Sequence, residues 1–228
     1  MNTPQPAGPY GQFPPPVPVP PPNLPGRTKR GWIPLAIGAA AASLVWAAVL
    51  VLSSTSSTAA PDPRGYAVSA NLCKDASTTG IGSLFTAEGD QDAVVKHKVV
   101  DRSECYRELE PKDASKSSMS ASLFFTMHKE TDPAPEVIAE AESAGYAPGS
   151  KATVKKIPGL GDHAYLITTD LDSTRMLTLH VIDGGAEYAA RITGSDFSSG
   201  DKSRLYSTDK LQPLLVQDAK ATLARLKK

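Results

Sequence analysis

The run Gly159-Leu160-Gly161-Asp162-His163-Ala164 places two glycines, a carboxylate and an imidazole within six residues. Two chemistries use such a run. As G-x-G-x-x-A it has the spacing of a dinucleotide-binding loop, which needs a strand before it and a helix behind it to aim N–H groups at the pyrophosphate. Here Ala164–Thr169 follows with a strand pattern, so nucleotide binding is not expected. As an acid–base pair, Asp162 and His163 are chain neighbours, and neighbours on a strand point to opposite faces. The run therefore reads as a structural glycine turn in which Asp162 bonds its own backbone.

Other reactive constellations are no stronger. The four histidines, at 97, 128, 163 and 180, lack ligand spacing, so no metal and no cofactor is expected. His180, mid-strand, reads as structural. No G-x-S-x-G elbow, H-E-x-x-H pair or Walker loop occurs. No catalytic residue is assigned, and the chain is not expected to be an enzyme. Cys73 and Cys105 are the two cysteines. They either pair or remain two buried thiols. A bridge closing that loop would stabilise the fold by roughly 3–4 kcal/mol in the chain-entropy model.

The compartment bears on that choice. Trp32–Leu52, WIPLAIGAAAASLVWAAVLVL, holds no charged residue. As a helix it would rise roughly 31 Å, about one hydrocarbon core. Arg27, Lys29 and Arg30 precede it, and the next basic residue is Arg64. The positive-inside rule puts the N-terminus in the cytoplasm and the rest outside, where disulfides persist. Thr58-Ala59-Ala60 would pass as a cleavage site, but the apolar run is longer than a signal h-region, and an uncleaved anchor is expected. Gly38 and Ala42 form a small-xxx-small pair through which the span could homodimerise, although alanine-rich spans produce that pattern by chance.

The flanks follow from composition. Eleven of the first 25 residues are proline, so residues 1–31 read as a disordered polyproline tail. Its P-x-x-P-x-Arg match is one such a tail hardly avoids. Residues 53–66 read as a Ser/Thr/Pro linker that buries nothing, and residues 67–228 as one extracytoplasmic domain. The chain has 24 basic and 24 acidic residues; three basic and no acidic ones precede the span, leaving 21 against 24 beyond it. That excludes the concentrated basic face of a nucleic-acid binder.

Within the domain, a helix is expected over Ala70–Phe85. Strands are expected at Val94–Val100, Cys105–Leu109, Ser120–His128, Ala152–Ile157, Ala164–Thr169, Arg175–Ile182 and Glu187–Thr193. A second helix falls at Glu136–Ala144, and Asp183-Gly184-Gly185 marks a hairpin. Leu211, Leu215, Ala219, Leu223 and Leu226 recur at helical spacing over Asp209–Leu226, with Pro213 placed in the first turn. The fold class is α+β: an antiparallel sheet packed by helices on one face, after a single transmembrane helix.

Asn71-Leu72-Cys73, Ser103-Glu104-Cys105-Tyr106, the turn from Ile157 to Tyr165 and the final amphipathic helix resemble a group of actinobacterial domains. These are the small cysteine-paired extracytoplasmic domains of unknown function in lipoproteins and membrane proteins. The outer sensor domain of a mycobacterial Ser/Thr protein kinase is more distantly similar. The resemblance implies a Cys73–Cys105 disulfide and an α+β fold, but no reaction. The chain lacks the acylated cysteine of the lipoprotein members, so lipid anchoring is not implied.

The expectation is a single-pass protein of the cell membrane. It presents a non-enzymatic binding or sensing domain to a small ligand or an envelope protein. An accessory subunit of an envelope complex is the alternative, and a hydrolase with an unrecognised site comes last. In spheroplasts treated with external protease, a tag at Met1 should survive and one at Lys228 should be lost. The reverse pattern would contradict the orientation.

Overall fold

The computed structural model describes residues 60–144, 151–197 and 202–228. The expected tail, span and most of the linker lie outside them. Among the described residues no helix is long and apolar enough to cross a membrane.

The described chain is mostly β. A short helix α1 (Leu72–Asp75) and a 3-10 turn (Ile81–Ser83) precede three strands, β1 (Phe85–Lys96), β2 (Val100–Pro111) and β3 (Met119–His128). Helix α2 (Ala134–Ser143) follows, then β4 (Lys151–Lys156), β5 (His163–Leu171), β6 (Thr174–Asp183) and β7 (Ala186–Ser195), and finally α3 (Thr208–Leu226). The seven strands form one antiparallel sheet in the order β1-β2-β3-β7-β6-β5-β4. Two meanders therefore meet where β7 pairs with β3, Phe125 opposite Tyr188.

One face of this sheet builds the core. Cys105, Leu123, Phe125, Leu166, Leu179, Val181, Tyr188 and Ile192 are buried on it. The α3 stripe Leu211, Leu215, Ala219, Leu223 and Leu226 is buried in the same core, as its helical spacing predicts. Asp218, buried in the middle of α3, accepts hydrogen bonds from the backbone N–H groups of Gly80 (2.7 Å) and Ile81 (2.9 Å) and from Ser77 Oγ (3.2 Å). One carboxylate thus satisfies donors that the 3-10 turn would otherwise bury unpaired. Cys73 and Cys105 form a disulfide that pins α1 to β2, with Cα atoms 5.0 Å apart. The buried Arg107 donates to the Cys73 carbonyl (2.8 Å) and pairs with Asp90 (3.1 Å).

The α+β expectation needs adjustment at four places. The helix expected over Ala70–Phe85 shrinks to one turn capped by Asn71, whose Oδ1 accepts from Lys74 N–H. Phe85 instead opens β1 and packs edge-on against Tyr206, ring centroids 5.0 Å apart. The strand expected at Val94–Val100 is broken by a turn closed by His97 N–H on the Val100 carbonyl. Most of β1 was not legible because, after Phe85, this edge strand is exposed throughout and shows no alternation. Pro213 sits inside α3 rather than in its first turn.

The helices also do not share one face. The Val137 and Ala141 side chains of α2 are buried yet stand apart from the main core. Ala134 lines a cavity with His163 and Ile182. By register those two oppose each other, out of phase with the core pair Ala164 and Val181. So α2 covers part of the second face, at the β5 side.

Cys73→Ser should leave Cys105 as a free thiol and lower the unfolding free energy by about 3 kcal/mol. Denaturant midpoints, with non-reducing mass spectrometry of envelope-derived protein, check this; two free thiols in the wild type would contradict it.

Candidate functional site

The segment where the chain enters the domain is rigidly held. Asp62 Oδ1 accepts from the Arg64 N–H (2.9 Å), and the Tyr66 N–H donates to the Pro63 carbonyl (2.8 Å), closing a tight turn over Pro63–Tyr66. Arg64 takes φ +47°, a left-handed conformation that residues with a side chain seldom adopt. Its guanidinium Nη1 donates to Asp162 Oδ1 (2.9 Å) and Asp183 Oδ1 (2.7 Å). Tyr66 OH (2.8 Å) and Lys227 Nζ (3.1 Å) donate to the other Asp183 oxygen. Burial alone would raise the Asp183 carboxyl; Tyr66, Lys227 and Arg64 outweigh it and hold the group below its usual range. Burial, and then the Asp183 carboxylate, push the Tyr66 hydroxyl up, so it stays a donor.

The linker was expected to bury nothing. Instead Tyr66 is buried in the core and bridges to Lys227, so the folded unit begins ahead of residue 67.

Two glycine turns complete the arrangement. Gly184 begins the β6–β7 hairpin loop at φ +62°, and a Cβ there would lie 2.4 Å from the Asp62 carbonyl oxygen. Gly161 takes φ +60°, and its Cβ would lie 2.4 Å from the Ile182 carbonyl oxygen. Both contacts exclude a side chain, and both φ values favour glycine. The Gly159–Ala164 run is thus the strand connection that was expected, followed by β5 and not by a helix. Asp162 does not bond its own backbone. Its second oxygen accepts from Gly184 N–H (3.0 Å), so its carboxylate joins the entry segment to the hairpin.

These turns enclose a cleft of about 470 Å³, lined by Pro61, Asp62, Arg64, Asp132, Asp162 and His163, with Ala134, Ile182 and Gly184. Asp162 and His163 were expected to diverge, yet both line this cleft. Strand alternation does not apply, because β5 starts only at His163. The Nδ1 atom of His163 is buried without a hydrogen-bond partner.

Beside the cleft, on the same sheet face, stands a second polar group. Register places Glu187 opposite both Thr126 and Ile182. Glu187 Oε2 is 3.1 Å from His128 Nε2, and Oε1 is 3.6 Å from His180 Nδ1. His128, His163 and His180 thus share one face, although nothing in their sequence spacing indicates it. Among the described residues no group of three or more His, Cys, Asp or Glu is placed to hold a metal ion. Burial works to raise the Glu187 carboxyl, but hydrogen bonding and the charge of the flanking imidazoles win and draw it down from 4.5 to about 2.

A carboxyl whose folded pKa is depressed adds stability above its unfolded pKa and loses it as pH falls through the folded one. Stability should therefore drop between about pH 4.5 and about pH 2, by at most about 3 kcal/mol from this group. Glu187→Gln should flatten that limb of a stability–pH profile measured by urea denaturation. An unchanged limb would show that the pairing does not act.

Sequence reasoning missed most of this site. The Asp62–Arg64 pair, Asp132, Asp183 and Lys227 lie on separate segments and converge only through the fold; the one local signal was Pro-Asp-Pro-Arg, a turn-forming run. Comparison with family models, curated proteins and solved structures finds no match to the chain, so the site rests on its own geometry.

Proposed function

We propose that this chain is a single-pass membrane protein, N-terminus inside, whose described domain is an extracytoplasmic, non-enzymatic binding or sensing module. The resemblance to actinobacterial envelope domains and to a kinase sensor domain supports the same reading. The observation that carries it is the position of the cleft. Its wall includes Pro61, Asp62 and Arg64, so a bound molecule would touch the segment through which the chain enters from the proposed span. Its volume falls within the range of small-molecule sites. Its lining brings carboxylates, a guanidinium and an imidazole but no hydroxyl or thiol nucleophile, and both Asp162 oxygens are already bonded. That composition suits recognition better than turnover.

A second reading, an accessory subunit of an envelope complex, draws on a different surface. Tyr106, Val94 and Val95 are exposed apolar residues on β2 and the edge strand β1. Beside them a shallow cleft of about 340 Å³ includes Tyr106, Phe124 and Glu104. An open edge of this kind can accept a partner strand.

A thermal-shift panel on the full chain in detergent separates the two. Organic cations, inorganic anions and neutral sugars are each tested on the wild type and on Ala134→Trp, which fills the cleft. A ligand at about 100 times its Kd stabilises by about 2.7 kcal/mol, so at least one class should raise the wild-type melting temperature, and Ala134→Trp should lose that rise while folding normally. His163→Ala, with its fold intact, should weaken the same response. A rise that persists undiminished in Ala134→Trp would contradict the site.

A further inference from the structure

Resting on the binding reading above, we propose that the cleft recognises a small organic cation: a primary ammonium group carried on a short aliphatic body. The charges decide this. Within the cluster, Arg64 and Lys227 meet Asp162 and Asp183, two cations against two carboxylates. Asp62 and Asp132 are left over. Each gives one oxygen to a backbone N–H, Asp62 to Arg64 and Asp132 to Ala134, both at 2.9 Å. Neither forms an ion pair among the described residues. The cleft therefore keeps two carboxylates that no protein cation answers.

The start of α2, at the same cleft, does not reverse that sign. A helix N-terminus attracts anions through its free N–H groups. Here Pro135 has no N–H, Asp132 already holds that of Ala134, and Glu136 adds another carboxylate to the first turn. A bare metal ion fits poorly, because no described group of three ligating side chains is placed to hold one. An ammonium group needs only carboxylate oxygens around it, in charge-assisted hydrogen bonds. Pro61, Ala134 and Ile182 supply apolar wall for the alkyl chain behind it. The His163 Nδ1 atom, buried and unpartnered, adds a polar atom at the same wall.

The test is isothermal titration of the full chain in detergent with 1,4-diaminobutane and with spermidine, and with sodium phosphate, glucose and calcium chloride in parallel. The amines should bind. Asp62→Asn and Asp132→Asn should each weaken them about tenfold, the size expected for loss of one charge-assisted contact. Glu108→Gln, at an exposed position of β2 that does not line the cleft, should leave binding unchanged. Raising salt from about 50 to about 500 mM should weaken the amines, since the cleft is open to solvent. Melting curves confirm that each variant folds, and Ala134→Trp should abolish binding. Amines that give no heat, or that bind both Asp→Asn variants as tightly as the wild type, would overturn the proposal. If phosphate, glucose or calcium binds in place of the amines and Ala134→Trp blocks it, the organic ammonium class is wrong while the cleft remains a binding site. If no probe binds, both fail.

Discussion

The Asp183 carboxylate ties the end of β6 to two stretches far from it in sequence, Arg64–Tyr66 and Lys227. It stands at the end of β6, mostly buried, and takes Arg64 from the entry segment, Tyr66 from the first core contact and Lys227 from the last turn. A carboxylate in that position is tolerable only with its oxygens fully bonded, and all three donors are needed to fill them. The strained backbone of Arg64 is tolerated for the same reason, since its guanidinium Nη1 is held by both Asp162 and Asp183. The cleft wall is the outer surface of this network. Remove Asp183 and only Asp162 is left to orient the Arg64 side chain against the glycine turns.

The sheet supplies the frame on which that network sits. Two meanders joined at β3 and β7 leave every strand antiparallel, so one face collects the alternate apolar residues. The other face is free for polar work. On the core face, α3 closes the layer, and its buried Asp218 fastens the 3-10 turn while the disulfide fastens α1. With that face satisfied, the second face carries His128, Glu187, His180 and His163 in adjacent rows, α2 over part of it, and the cleft at its corner. Stability and recognition are thus separated across the thickness of a single sheet.

What the amino-acid sequence showed followed from periodicity. The β3 and β6 segments alternate and, with β5 and β7, were placed within a few residues, as was α3 by its leucine stripe. The Asp183-Gly184-Gly185 hairpin and the glycine turn before β5 were also legible, because tight turns need particular residues. Most of β1 was not, since an exposed edge strand buries nothing to mark its phase. The site was the least legible part. Asp162 and His163 drew attention through their spacing, but the alternation argument sent them apart by treating both as strand residues, whereas β5 starts only at His163. Arg64 stood in a run that reads as linker, and its partner Asp183 lies 119 positions away. Cross-chain ion pairs of that kind leave no periodic trace.

The central claim is that recognition happens at the cleft where the chain enters the domain. Its most direct measurement is a two-dimensional amide NMR titration of the isotopically labelled full chain with spermidine. The account predicts shifts concentrated at the backbone amides of Asp62, Arg64, Ala134, His163 and Gly184, with the β1–β2 amides unmoved. Shifts confined to the β1–β2 surface around Tyr106, with the cleft amides silent, would contradict it.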